Sequence, residues 1–98
     1  MNVGLLQFSD SIDLHIEKLN ASLENALPER IIDYQIKAFL AFLDAAKSFK
    51  KHKIVITHGR GIGVLKQIVQ STLKGDEHVF GFKDINYGIS TEAVLNFF

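Results

Sequence analysis

The most constraining stretch of this 98-residue chain is residues 53–69, KIVITHGRGIGVLKQIV. The apolar, β-branched run at its start predicts a central strand over residues 53–57, buried on both faces. Glycines at 59, 61 and 63 end that strand. An apolar stripe of Val64, Leu65, Ile68, Val69, Thr72 and Leu73 then marks a helix that closes at Lys74, with Gly75 as its cap. A buried strand turning tightly into a helix is a building unit of α/β folds, so the rest of the chain must supply the remaining strands and a covering layer.

Residues 11–16 alternate, with Ile12, Leu14 and Ile16 on one face and Asp13 and His15 on the other, which predicts a half-buried first strand. Leu19, Leu23 and Leu27 follow at four-residue spacing, as a short helix or a leucine-packing loop. Pro28 suits a first helical position, and Ile32, Ile36, Phe39, Leu40, Leu43 and Ala46 form one stripe of a helix over residues 28–48. Glu29 and Asp33 near its start, and Lys47, Lys50 and Lys51 near its end, complement the helix dipole. Residues 78–85 read as a third strand, Asn86-Tyr87-Gly88 as a turn, and residues 92–98 as a fourth strand. The phenylalanines at 39, 42, 49, 80, 82, 97 and 98 are read as core. The expected architecture is a small α/β sandwich of order β-α-β-α-β-β. Its four-stranded sheet is mostly parallel, carries two main helices and ends in a hairpin that reverses one strand. Residues 1–10 are weakly patterned and read as a tail or linker before a single domain over residues 11–98.

Composition removes several classes of function. Without cysteine there is no disulfide, thiol nucleophile or zinc–thiolate site. No apolar run reaches the ~18 residues of a membrane span, and the N-terminus lacks a signal-peptide pattern. The chain reads as cytoplasmic. Its net charge is zero with histidines neutral, so any polyanion site must be local or assisted by other domains.

The chemistry gathers where the second strand ends. His58-Gly59-Arg60-Gly61-Ile62-Gly63 lies between a strand's carboxyl end and a helix N-terminus, where α/β sheets bind ligands and free amides favour anions. Glycines let the backbone approach a phosphate, and Arg60 adds a planar bidentate donor. Gly59, Arg60, Gly61 and Gly63 are therefore the phosphate-binding candidates. The spacing matches neither the P-loop nor the dinucleotide fingerprint. An ordinary glycine turn with an exposed arginine is the alternative. Asp13 and His15 share a strand face, and if the first two strands are neighbours they approach His58. That makes Asp13, His15 and His58 the catalytic candidates: the histidines as acid or base, and Asp13 orienting an imidazole or holding a divalent ion such as Mg2+ or Mn2+. The alternative is a plain polar strand face. His52 and His78 receive no role, and Lys47, Lys50, Lys51 and Lys53 read as a solvated basic cluster.

Ile12-Asp13-Leu14-His15 and His58-Gly59-Arg60-Gly61, in that order and flanking a long helix, resemble the Smr (small MutS-related) domain family, with its L-D-x-H and H-G-x-G motifs. The resemblance covers residues 11–98. Gly88 and Thr91 stand where the family carries a glycine-rich, threonine-containing turn before its last strand. The resemblance implies a fold similar to the C-terminal domain of translation initiation factor 3. It also implies nucleic-acid binding, DNA nicking or RNA cleavage in several members, and attachment to other domains of a longer protein. Cleavage of DNA or RNA, a non-catalytic nucleic-acid or protein interaction module, and a small-molecule phosphate site are the readings carried forward.

Overall fold

The computed structural model of the protein describes residues 9–60 and 63–97. Most of the expected N-terminal tail, together with Gly61, Ile62 and Phe98, lies outside the described residues. The elements are β1 (Ser11–Asp13), α1 (Ile16–Leu19), a 3-10 turn (Ala21–Leu23), α2 (Pro28–Ser48), β2 (Lys53–Thr57), α3 (Val64–Lys74), β3 (Val79–Ile85), a second 3-10 turn (Asn86–Gly88) and β4 (Ser90–Leu95).

The four strands form one sheet in the order β1-β2-β4-β3. β1 pairs with β2 in parallel, while β4 runs antiparallel to both β2 and β3. The three earlier strands thus point one way, as expected. The sheet is nevertheless mixed, because the hairpin folds β4 back between β2 and β3. β1, β2 and β3 advance across the sheet in one direction, so right-handed crossovers place both main helices on the same face. The fold is a two-layer sandwich.

That topology corrects one expectation about β2. Ile54 and Ile56 are fully buried against Ala93, Leu95 and the helices, but Val55, facing the other way, is only half-buried. A central strand is covered on both faces only when helices lie on both sides, and here they do not.

The core joins Leu14, Phe39, Phe42, Leu43 and Ala46 to Ile54, Ile56, Leu65, Val69, Leu73, Ala93 and Leu95. Burying each of the larger side chains stabilises the fold by about 1.5–3 kcal/mol. In α2, Phe42 takes a core place and Leu40 points outward, so the buried stripe is rotated from the expected one. α2 ends on Lys50 in a left-handed conformation (φ 54°), where Lys51 N–H bonds Ala46 O.

Three strand boundaries differ from expectation. β1 stops at Asp13 because Asp13 Oδ1 accepts the His15 amide at 3.0 Å, which bends the chain and makes His15 the N-cap of α1. A register shift between Val79 and Gly81 puts Val79 and Phe82 against the core and leaves Phe80 79% exposed. Phe49 is also exposed, so neither it nor Phe80 belongs to the core. β4 begins two residues earlier than predicted, which brings Ser90 and Thr91 into the sheet.

The β3–β4 loop is unusual. Asn86, Tyr87 and Gly88 have φ of 52°, 58° and 84°, three successive left-handed residues closed by an Ile89 N–H to Asn86 O bond of 3.1 Å. The left-handed region costs a non-glycine residue about 1–2 kcal/mol.

Candidate nucleic-acid interface

The parallel β1–β2 pair brings the two sequence motifs together. Asp13 is in register with Thr57, and Leu14 N–H donates to Thr57 O at 2.8 Å. Two residues past each strand, the chains meet: a methyl group built on Gly59 would lie 2.9 Å from His15 Nε2. Gly59 also holds φ +80°. Close approach and backbone conformation both demand glycine there.

Asp13 and His15 form a tight pair, with His15 Nδ1 2.6 Å from Asp13 Oδ1 and each side chain 42% exposed. The carboxylate can only accept, so Nδ1 carries the hydrogen of this bond and Nε2 lies at the far side of the ring. Partial burial works to raise the Asp13 pKa, but the His15 amide, its ring and charge, and nearby Lys18 outweigh it and hold the carboxyl below its ordinary value.

His58 is different. It is 7% exposed and both of its ring nitrogens are engaged. Nδ1 lies 2.9 Å from Gly59 O, which only accepts, so Nδ1 donates. Nε2 lies 2.8 Å from Thr91 Oγ1. Burial, with the Lys66 charge and to a lesser extent His15, holds the His58 pKa below its ordinary value against the opposing pull of Gly59 O and Asp84. The neutral ring therefore accepts the Thr91 hydroxyl proton. Gln70 Nε2 donates to Thr91 Oγ1 at 3.0 Å and to Asp84 Oδ1 at 2.7 Å, and Lys66 Nζ reaches Asp84 Oδ2 at 2.7 Å. Lys66 and Gln70 together hold the Asp84 carboxyl below its usual value. His58 thus stands inside a network that fixes the loop, its Nδ1 proton on Gly59 O and its Nε2 on the Thr91 hydroxyl.

The amides of Gly59 and Gly63 are also engaged. His58 N–H and Gly59 N–H both donate to Ile89 O, at 3.1 and 3.0 Å, and Gly63 N–H donates to Arg60 O at 3.0 Å. Gly59 and Gly63 therefore shape the turn through their own amides. Free donors lie one step on. Gly63 caps α3 at φ +83° with no side-chain cap, so the first-turn amides after it have no intrahelical acceptor. Gly63, Val64, Leu65 and Lys66 line a cleft of about 480 Å³, together with Arg60, His58 and Gln35. Arg60 is exposed. Gln35 Nε2 donates to Leu14 O at 2.9 Å, tying α2 to the chain just before His15. The cleft thus offers an arginine and a helix N-terminus to an anion, with Lys66 at its wall held by Asp84.

Among the described residues, no group of three or more histidine, aspartate or glutamate side chains converges as a metal site. Asp13 and His15 Nε2 supply two donors, short of the oxygen-rich set a divalent ion such as Mg2+ requires. The residues do not fit an ion held by side chains alone.

Sequence reasoning missed Lys66, Gln70 and Asp84. Lys66 and Gln70 stand four apart on the polar face of α3, which reads as solvated until Asp84 is folded beside them. The basic cluster is also largely engaged: Lys47 pairs with Asp76 at 2.7 Å, Lys51 with Asp10 at 3.1 Å, and Lys50 lies over the Phe97 ring.

Comparison with known proteins gives three consistent results. The Smr domain family matches residues 32–95. The match begins after Asp13 and His15, which join the site through the β1–β2 pairing. Over 53 residues, 54% of the chain, the sequence is 36% identical to the Endonuclease MutS2 of Caldicellulosiruptor bescii, and it spans 7% of that protein's length. The crystal structure of the Smr domain of Thermus thermophilus MutS2 shares the fold, with a TM-score of 0.64 at 20% identity over 88% of this chain and 96% of that one.

Proposed function

Because the chain belongs to the Smr domain family, we propose that it is a nucleic-acid-binding domain that cleaves phosphodiester bonds, with RNA as the substrate its chemistry suits best. The Asp13–His15 pair seated over Gly59 carries this reading. It is a carboxylate-oriented imidazole with an available Nε2, beside a cleft that offers Arg60 and the N-terminus of α3. In the reaction, Arg60 and the free α3 amides hold the phosphate. His15 Nε2 takes the proton of the ribose 2′-hydroxyl, whose oxygen attacks phosphorus. The bond to the 5′ oxygen breaks, and that oxygen takes a proton from water. Asp13 fixes the ring and stabilises the imidazolium. This route needs no metal, in keeping with a two-donor set, whereas DNA lacks the 2′-hydroxyl and would call for Mg2+ or Mn2+ from solvent.

The domain would act over residues 11–98, with residues 1–10 as a tail or linker to other parts of a longer cytoplasmic protein. No described helix is long and apolar enough to cross a membrane. A nuclease assay on single- and double-stranded RNA and DNA, with and without chelator, tests the proposal. RNA cleavage that survives chelation and falls about 10²–10⁴-fold in His15→Ala is the expected result. Equal rates in His15→Ala and the parent would overturn it.

One observation favours a second reading. With both ring nitrogens of His58 engaged in the loop network, His15 is the one motif histidine whose side chain is substantially exposed. A binding module without cleavage would bind nucleic acid in a salt-sensitive way and cleave none, with or without a divalent ion.

A further inference from the structure

Among the described residues Tyr87 is the most exposed large apolar side chain, at 93%, and it stands in a left-handed backbone conformation (φ 58°, ψ 33°). Glycine or asparagine would occupy that conformation with less strain. The fold gains no packing from so exposed a ring. Strain retained without a packing return points to a use outside the fold.

Its position suggests what that use is. Ile89, two residues on, accepts the amides of both His58 and Gly59, so the loop bearing Tyr87 is fixed to the loop of the candidate site. A methyl group built on Gly88, the next residue, would lie 3.3 Å from Lys66 Nζ. Lys66 lines the same cleft as Arg60. An exposed aromatic ring therefore stands one residue from the Lys66–Asp84 pair, and Lys66 lines the cleft that also holds Arg60. Cations tracking a phosphate beside an aromatic face is how proteins grip single strands, since every base has a face to stack. A base held in a duplex has both faces covered and cannot offer one.

We propose that Tyr87 is a stacking platform for an unpaired base next to the phosphate held in the cleft, so that the domain selects single-stranded over duplex nucleic acid. This rests on the nucleic-acid reading above.

The chain has no tryptophan and two tyrosines, so Tyr34→Phe leaves Tyr87 as the sole tyrosine emitter. In that background, a single-stranded RNA oligonucleotide should quench Tyr87 emission on titration, and a duplex of the same sequence should not. Tyr87→Gly should weaken single-strand affinity about 5- to 100-fold while leaving duplex affinity unchanged, and Tyr87→Phe should retain it. Tyr87→Gly should also melt at a higher temperature than the parent, which separates lost stacking from lost folding. Unquenched emission on a strand that still binds, or equal affinity in Tyr87→Gly and the parent, overturns the stacking proposal and leaves the binding reading standing. No binding of any nucleic acid by the parent overturns both. Quenching only by a peptide or protein would reassign the ring to a protein partner and overturn the proposal.

Discussion

The two ends of the sheet each hold a pair of histidines, and they use them in opposite ways. At the end where β1 and β2 finish, His15 is tethered by a carboxylate with its far nitrogen available, and His58 locks the turn. At the other end, His52 and His78 face backbone carbonyls of the segment leaving β4, Leu95 O at 3.3 Å and Asn96 O at 3.4 Å. Phe97 sits between them, stacked on His78 at 5.2 Å and edge-on to His52 at 6.0 Å. Four similar letters in the sequence thus have three fates. What sets His15 apart is an acidic partner on Nδ1, partial exposure and a glycine beneath the ring.

The largest effect should follow from breaking the Asp13–His15 pair. Asp13→Ala leaves the imidazole unoriented, and cleavage should fall about 10²-fold or more while affinity for a single strand changes little, as read by paired rate and binding measurements. Gly59→Ala should come next. A methyl there meets the His15 ring and a disallowed φ together, so the melting temperature should fall by an amount corresponding to about 1–3 kcal/mol, with activity lost. Gly63→Ala is the matched control: the φ is similar, but nothing lies within 4 Å, so only the conformational cost of about 1 kcal/mol should appear in a denaturant melt.

A smaller effect sharpens the contrast through pH. His58 titrates at about 6.5 when unfolded and lower when folded, so below that pH the unfolded chain binds more protons. The stability contributed by the neutral ring is complete above about pH 6.5 and declines as pH falls towards its folded value. Thermal melts at pH 7.5, 6.5 and 5.5 should show that decline in the parent and a flatter profile in His58→Gln. The smallest effect belongs to the far end. His78→Ala should cost about 0.5–1 kcal/mol through lost stacking and leave cleavage unchanged. A large drop in activity there would erase the distinction between the two ends.

Much of this fold was legible in the sequence, because β2, α2 and α3 carry strong periodicity and clear stop signals. The meeting of Asp13 and His15 with His58 and Gly59 was legible too, from the polar residues at two strand ends. The errors have local causes. Alternation over residues 11–16 suggested one strand because Asp13 caps its own successor, an effect that hydrophobic pattern does not register. The bulge at Phe80 turned an even alternation into a shifted one. The contacts of His58 and Gly59 were not legible because their partners, Thr91 and Ile89, lie some thirty residues downstream on the hairpin. Lys66, Gln70 and Asp84 gave no signal for the same reason: a polar helix face looks solvated until its tertiary neighbour is known.

The placement of β4 in the interior of the sheet has a consequence for assembly. β2 and β3 do not pair with each other, so the two parts of the sheet are joined only through β4, which lies between them. That same strand delivers Ile89 and Thr91 to the turn at His58. Closure of the scaffold and alignment of its chemistry are therefore one event, and a chain cut short before residue 90 would be expected to lose both at once instead of surviving as a weakened catalyst.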